Sequence, residues 1–397
     1  MKRLLITILI VLLATALVGC SKYAQQTATQ TPATESTAPT SSTQDTTAPD
    51  IDMNAQQKPM YAVSFTPVEK ETLDTNGAVR FKYSYAYISL FLPEPEVADK
   101  IILDQLSRMD QANQYAESIR TDSLDESFEL PSQLPLFYDV KFSPARFDKS
   151  ILSLKITEII YLGGIHPDNV TSFANYDLLT GNTLRLCDIL CSDVTLDSIS
   201  NAVKLKLAAH SLNNDFWTGY QDIVDEMFNV GLEKYEHWYL SDSGLCFNYD
   251  SYILASYATG PITVTIPYSE LTGILKDEYF PAEQDIYSGE LVVKPFSVDL
   301  QTEFSQFAEV VLANNEKKIL FCANGIITDI TIQAAKSTPD GSNLTGNTVM
   351  AAQSLTPGDA IMIDFDPDTT QIIIKYRNGN QQETKIVTID GDTVELS

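Results

Sequence analysis

The 397-residue chain carries 53 Asp and Glu against 26 Lys and Arg, a formal charge of −27. That balance excludes nucleic acid, whose phosphates require Lys and Arg, and argues against close contact with anionic headgroups. It steers a cationic partner inward, and it equally keeps a surface soluble.

The chain opens MKRLLITILIVLLATALVGC. Lys2 and Arg3 precede an apolar run, Leu4 to Leu17, that is too short for a membrane span and reads as a secretory signal over residues 1–19. Leu17-Val18-Gly19-Cys20 resembles the bacterial lipobox. The resemblance implies cleavage before Cys20, lipidation of its thiol and anchoring at the outer face of the cytoplasmic membrane. Residues 20–58 are rich in Thr, Ser and Pro without apolar periodicity, the composition of a disordered tether.

From about residue 60 the pattern becomes that of a folded protein. Phe81, Tyr83, Tyr85, Tyr87 and Phe91 share one face of a strand over 80–93, with Ile88, Leu90 and Leu92 on the other. Pro93 and Pro95 end it. Ile102, Leu106, Met109, Ala116 and Ile119 then recur at helical steps, predicting a helix over about 96–120. Strands are expected near 135–143 and 150–162, followed by a hairpin turning at Thr180-Gly181-Asn182. Leu196, Ile199, Val203 and Leu207 mark a second helix, and 219–236 a third. Two strands around a Tyr-rich turn fill 237–275.

After about residue 285 short apolar strands alternate with Asn-Gly, Asp-Gly and Pro-Gly turns, with a boundary expected at 284–295. The expected fold class is α+β: an antiparallel sheet with helices packed on one face, plus a C-terminal all-β sandwich- or barrel-like domain. The expected domains are 59–155, 156–284 and 290–397.

Signals for chemistry are few. His166, His210 and His237 are the only histidines, and none lies in a zinc-protease, nucleophile-elbow or P-loop pattern. Apart from Cys20, the cysteines are Cys187, Cys191, Cys246 and Cys322, too few and irregular for a disulfide scaffold. They read as buried thiols or a single optional bridge. Asp364, Asp366 and Asp368 alternate as in the first half of a calcium-binding EF-hand loop, but Thr369 and Lys375 stand where that loop needs Gly and Glu. A hairpin tip is the better reading. No cofactor is expected. Gly163-Gly164 before His166 implies a tight turn; Asp168 two residues on would suit a general base or metal ligand, yet a hydrogen-bonded structural histidine is the expectation.

Gly163-Gly164-x-His166, Asn175-Tyr176-Asp177, Thr180-Gly181 and Leu184-x-Leu186-x-Asp188-Ile-Leu190 resemble the signature of the RsiV-type anti-sigma-factor ectodomain. That module is also attached to PdaC-type peptidoglycan deacetylases and to lipoproteins of Gram-positive bacteria. Phe247, Tyr252, Ile253, Tyr257, Ala258, Gly260 and Val264–Leu271, with Pro267 and Tyr268, resemble its ending. Residues 62–155 resemble the smaller PdaC-type domain that usually precedes it, so the likeness spans 62–275. Ile165 and Pro167 depart from the small residues that usually flank the histidine. With no sigma-binding segment or deacetylase domain in view, neither of those activities is expected.

The resemblance implies envelope sensing, including recognition of lysozyme. The expected function is that of a lipid-anchored, non-catalytic binding protein of the cell envelope. A cationic lysozyme-like muramidase is its most concrete partner and peptidoglycan the other. The competing expectation is a cell-wall hydrolase or deacetylase using His166 and nearby carboxylates.

Overall fold

A computed structural model describes residues 60–124, 134–229, 237–281, 289–301, 303–312, 317–335, 346–390 and 393–396. The signal expected over 1–19, Cys20 and the tether over 20–58 lie outside the described residues. So does the end of the third helix.

β1 (Ala62–Leu73) and β2 (Val79–Phe91) pair antiparallel around a turn closed by Asp74, whose carboxylate accepts the Asn76 and Ala78 amides. The sequence reading passed over β1, because after Phe65 its apolar residues are sparse and its burial falls away. The β2 strand serves two cores at its end: Leu90 packs into the first and Phe91 against the C-terminal one. α1 (Pro95–Ser123) starts on Pro95, whose missing N–H costs nothing in a first helical turn.

α1 is the crossover between β2 and β3 (Leu136–Phe147), which run parallel over Phe81–Ser84 and Leu136–Asp139. Its buried stripe is Val97, Ala98, Ile101, Gln105, Met109, Ala116 and Ile119. The expected stripe was one residue out of register in its first turns, and Leu106 is 41% exposed. The helix is rolled so that Gln105, 3% exposed, bonds the buried Tyr176 hydroxyl with its amide. The amide supplies the buried hydroxyl's lone pair with a donor, which a leucine there would not do.

β4 (Ile151–Tyr161) and β5 (Asp168–Asp177) continue the sheet antiparallel. One face of β4 and β5 meets α1 through Leu152, Leu154, Ala174 and Tyr176. The other receives a small sheet of β6 (Trp238–Leu240), β7 (Gly244–Tyr249) and β8 (Ile262–Pro267). There Phe173 stacks on Tyr239, and Asn175 donates to the Trp238 carbonyl at 3.0 Å. α2 (Leu186–Ile189), α3 (Leu196–Ala208) and α4 (Tyr220–Asn229) close this second core, with Ile199, Val203, Leu207 and Val224 inside. Each such aliphatic side chain contributes about 1.5–3 kcal/mol on burial.

The C-terminal strands form a sandwich. β9 (Leu291–Pro295), the short α5 (Val298–Gln301), β10 (Gln306–Val311) and β11 (Lys318–Ala323) precede β12 (Ile327–Ala335) and β13 (Asn347–Leu355). β14 (Asp359–Asp364), β15 (Gln371–Asn378), β16 (Gln381–Asp390) and β17 (Thr393–Leu396) follow. The sheet β10-β14-β11-β9 packs Phe321, Ile361 and Ile363 against Ile330, Ile332, Ile372 and Ile374. Its partner is the main sheet, because Ala62–Ser64 of β1 pair with Met350–Ala352 of β13. The order is therefore β17-β16-β15-β12-β13-β1-β2-β3-β4-β5, ten strands with no closed barrel. The fold is α+β, and the described residues from Met60 onward cluster as one compact unit.

Candidate functional site

Three loops meet beyond the ends of β4, β5, β7 and β8. The first joins β4 to β5. Gly163 has φ +88°, the left-handed conformation that glycine adopts without strain. Gly164 needs no such allowance, since a Cβ there would meet only the His166 carbonyl at an ordinary 3.5 Å. Tyr161 donates to the Gly164 carbonyl at 3.1 Å, and Ile165 at the tip is fully exposed.

The second loop, 250–261, leaves β7. Tyr257 lays its ring on His166, with centroids 3.6 Å apart and planes 13° from parallel. Its hydroxyl donates to the Pro167 carbonyl at 3.2 Å, and His166 Nδ1 lies 3.1 Å from that same oxygen. Tyr252 is 57% exposed at φ +71°, one of two non-glycine residues with positive φ among those described. Its ring centroid is 5.6 Å from that of Tyr257. Asp250 anchors the loop to the edge of β5: its carboxylate accepts the Thr171 amide and the Asn248 side chain. Burial pushes the Asp250 carboxyl above its ordinary range, against the opposing pulls of the Thr171 amide and of His237.

The third loop, around Phe216 and Trp217, was not anticipated as part of the site. Phe216 forms an isolated bridge with Ala255, and Trp217 donates its amide to the Leu254 carbonyl at 2.8 Å. Trp217 is 43% exposed. The adjacent Phe-Trp pair before Gly219 was the signal available for it.

Together the loops expose Ile165, Trp217 and Tyr252 on a frame tied by backbone bonds and ring stacking. Segments 161–170, 210–222 and 248–262 carry Asp168, Asp215, Asp222 and Asp250 and contain no Lys or Arg. An apolar surface rimmed by carboxylates suits a partner that brings its own cations. His166 and Asp168, considered together as a catalytic or ligand pair, make no hydrogen bond to each other among the described residues.

The remaining motif residues hold the framework elsewhere. The Tyr176 hydroxyl donates to Asp104 at 2.6 Å, tying β5 to α1. Asp177 accepts the Leu179 amide within the turn, and Gly181, at φ +70°, lies where a Cβ would come within 3.0 Å of the Val97 carbonyl. Pro267 ends β8 opposite Gly244. Tyr268 donates to the Ser241 carbonyl and receives Arg146 Nη1, each at 2.6–2.7 Å. Arg146, 3% exposed, also reaches the Tyr279 carbonyl and pairs with Asp148. It was invisible in the sequence, because a lone arginine in a strand announces no partner.

Asp364, Asp366 and Asp368 do not converge: Asp364 is buried in β14, while Asp366 caps the Asp368 amide in the following turn. Lys317 fills that turn by donating to the Pro367 and Thr369 carbonyls. Among the described residues no group of three His, Cys, Asp or Glu stands close enough to hold a metal ion. Among the described residues no disulfide joins Cys187, Cys191, Cys246 and Cys322; the last two are buried and Cys187 is exposed.

Among the described residues no helix is long and apolar enough to cross a membrane. No curated protein matches the chain. Its fold is similar to that of a DUF3298-family member from Bacteroides fragilis, 20% identical, over 55% of this chain and 95% of that one, with TM-score 0.42. A DUF3298-family protein from Pseudomonas aeruginosa is 17% identical over 56% and 97%, with TM-score 0.40. Residues 188–269 match the model of DUF3298, a protein family of unknown function, so the chain carries a DUF3298 domain running from α2 to the turn after β8.

Proposed function

We propose that this protein is a lipid-anchored, non-catalytic binding protein of the bacterial cell envelope, and that it captures a basic lysozyme-like muramidase through the three-loop surface. The observation that carries the reading is the surface itself: Ile165, Trp217 and Tyr252 exposed on mutually tied loops that hold carboxylates and no Lys or Arg. Pre-tied loops keep the ordering cost of association low, and an exposed aromatic pair supplies the contact area in which binding energy concentrates. The formal charge of −27 adds long-range steering of a cation.

The likeness of Gly163–His166 and Tyr252–Gly260 to the RsiV-type ectodomain supports the same partner, since both motifs lie in these loops. The lipobox resemblance at Leu17–Cys20 supports anchoring at the outer face of the cytoplasmic membrane. Calorimetric titration with a basic lysozyme at low and at high salt tests the reading. Binding that persists at high salt in the native protein and fails in Ile165→Ser and Trp217→Ala is the expected result. Binding that vanishes with salt is charge attraction alone and sinks it.

A further inference from the structure

At the opposite end of β7 from these loops, the β6–β7 turn meets the C-terminal strands around a cleft of about 200 Å³. Arg146, Asp242, Asp329, Thr331, Arg377 and Gln382 line it. Asp329 has φ +52° where the pairing of β12 with β15 slips between Thr328 and Thr331. A bulge of this kind re-aims a side chain. The Asp329 carboxylate takes Nε of Arg377 at 2.8 Å and so holds the guanidinium by one corner. The two Nη atoms of Arg377 have no partner among the described residues.

Asp242, on the turn, makes no hydrogen bond or ion pair among the described residues. Arg146 attracts it across the cleft without bonding it, its guanidinium being held by Asp148, Tyr268 and the Tyr279 carbonyl. Arg377 and Asp242 are opposite charges that attract each other across one cleft, with no direct hydrogen bond or ion pair between them among the described residues. The Thr331 hydroxyl and Gln382 amide line the same space and are likewise unengaged among the described residues.

We propose that this cleft binds a small zwitterion of the amino-acid class, its carboxylate on the Arg377 fork and its ammonium on Asp242. A guanidinium fixed through Nε presents its Nη pair in the planar geometry that grips a carboxylate with two parallel bonds. The volume is below the roughly 300–1,000 Å³ of drug-sized sites, which restricts the ligand to a few heavy atoms. Asp242 and Asp250 flank β7 at its two ends, so this site is separate from the loop surface and does not rest on the muramidase reading.

Full-length protein titrated calorimetrically with glycine and alanine, and with acetate and methylammonium as half-ligands, tests the proposal. The amino acids are expected to bind about tenfold or more tightly than either half-ligand. Asp242→Asn keeps the size of the side chain and removes only its charge, and a thermal melt of the variant checks that the fold is retained. The substitution is expected to weaken alanine about tenfold and leave acetate unchanged. Arg377→Gln is expected to abolish both. Absence of saturable amino-acid binding, half-ligands binding equally well, or an unchanged affinity in Asp242→Asn would each overturn it.

Discussion

His166 lies flat on Tyr257, ring centroids 3.6 Å apart, while both side chains converge on the Pro167 carbonyl. The histidine is therefore an element of the loop frame, and its role is read by replacing it with a ring that cannot do acid–base work. His166→Ala is expected to cost about 0.5–1.5 kcal/mol of unfolding free energy, the worth of an aromatic pair, and His166→Phe to restore most of it. Denaturant titration of the two variants measures this. Turnover of peptidoglycan by the native protein that both variants lose would instead make His166 catalytic.

The elements that periodicity announced are those whose own residues supply the core. The strand around Tyr83, the helix after Pro95 and the Leu196–Leu207 helix are of this kind, and each forms within a few residues of its expected bounds. What stayed hidden depends on residues far apart in the chain. The joining of β1 to β13 through three residue pairs has no local signature, so the ten-stranded sheet was not legible. The His166 loop was legible as a tight turn, because a glycine pair before a histidine constrains the backbone on its own. That it would meet Tyr257 and the Trp217 loop was not, since stacking and backbone bridges between loops leave no periodic trace.

Arg146 is the strongest single test of how the β6–β8 layer is held to the main sheet. Its side chain is 2% exposed and binds Asp148, the Tyr268 hydroxyl and the Tyr279 carbonyl at once. Arg146→Met leaves Asp148, still held by the Ser150 and Ile151 amides, without its cation and the Tyr279 carbonyl without this donor, and is expected to cost about 1–3 kcal/mol. Arg146→Lys is expected to recover little, because a point charge cannot make the three contacts of a planar fork. Chemical denaturation reads both; a loss under about 1 kcal/mol for Arg146→Met would show that the guanidinium only fills space.

Asp250 gives stability a pH dependence of definite sign. Burial raises its carboxyl pKa in the folded protein, so the folded state holds this proton more tightly than the unfolded chain does. The ionised group therefore penalises folding above its folded pKa. The penalty is relieved as pH falls from there to the unfolded value of about 3.9 and is constant below it. Asp250→Asn lacks the titration. The stability of the native protein minus that of the variant is expected to grow more positive between pH 7 and pH 4 in paired denaturation curves. A flat difference would mean that the Thr171 and Asn248 hydrogen bonds cancel the burial.

Tyr252 is expected to separate stability from function. At φ +71° a tyrosine occupies left-handed backbone at a cost of about 1 kcal/mol or more, and with 57% of its surface exposed it recovers little of this by burial. Asn tolerates that conformation through its short polar side chain, so Tyr252→Asn is expected to raise unfolding stability by about 1 kcal/mol. The same change removes one of the three large apolar side chains of the loop surface and is expected to weaken capture of a basic muramidase about tenfold. Thermal melting and calorimetry on one preparation give both quantities. If stability rises while affinity holds, the aromatic ring is not part of the interface. If both fall, the conformation at residue 252 is set by packing that the tyrosine itself supplies, and the backbone is not strained. Opposite signs are the outcome that strain retained for binding requires, because a folded protein keeps a costly backbone conformation only where the exposed ring is used.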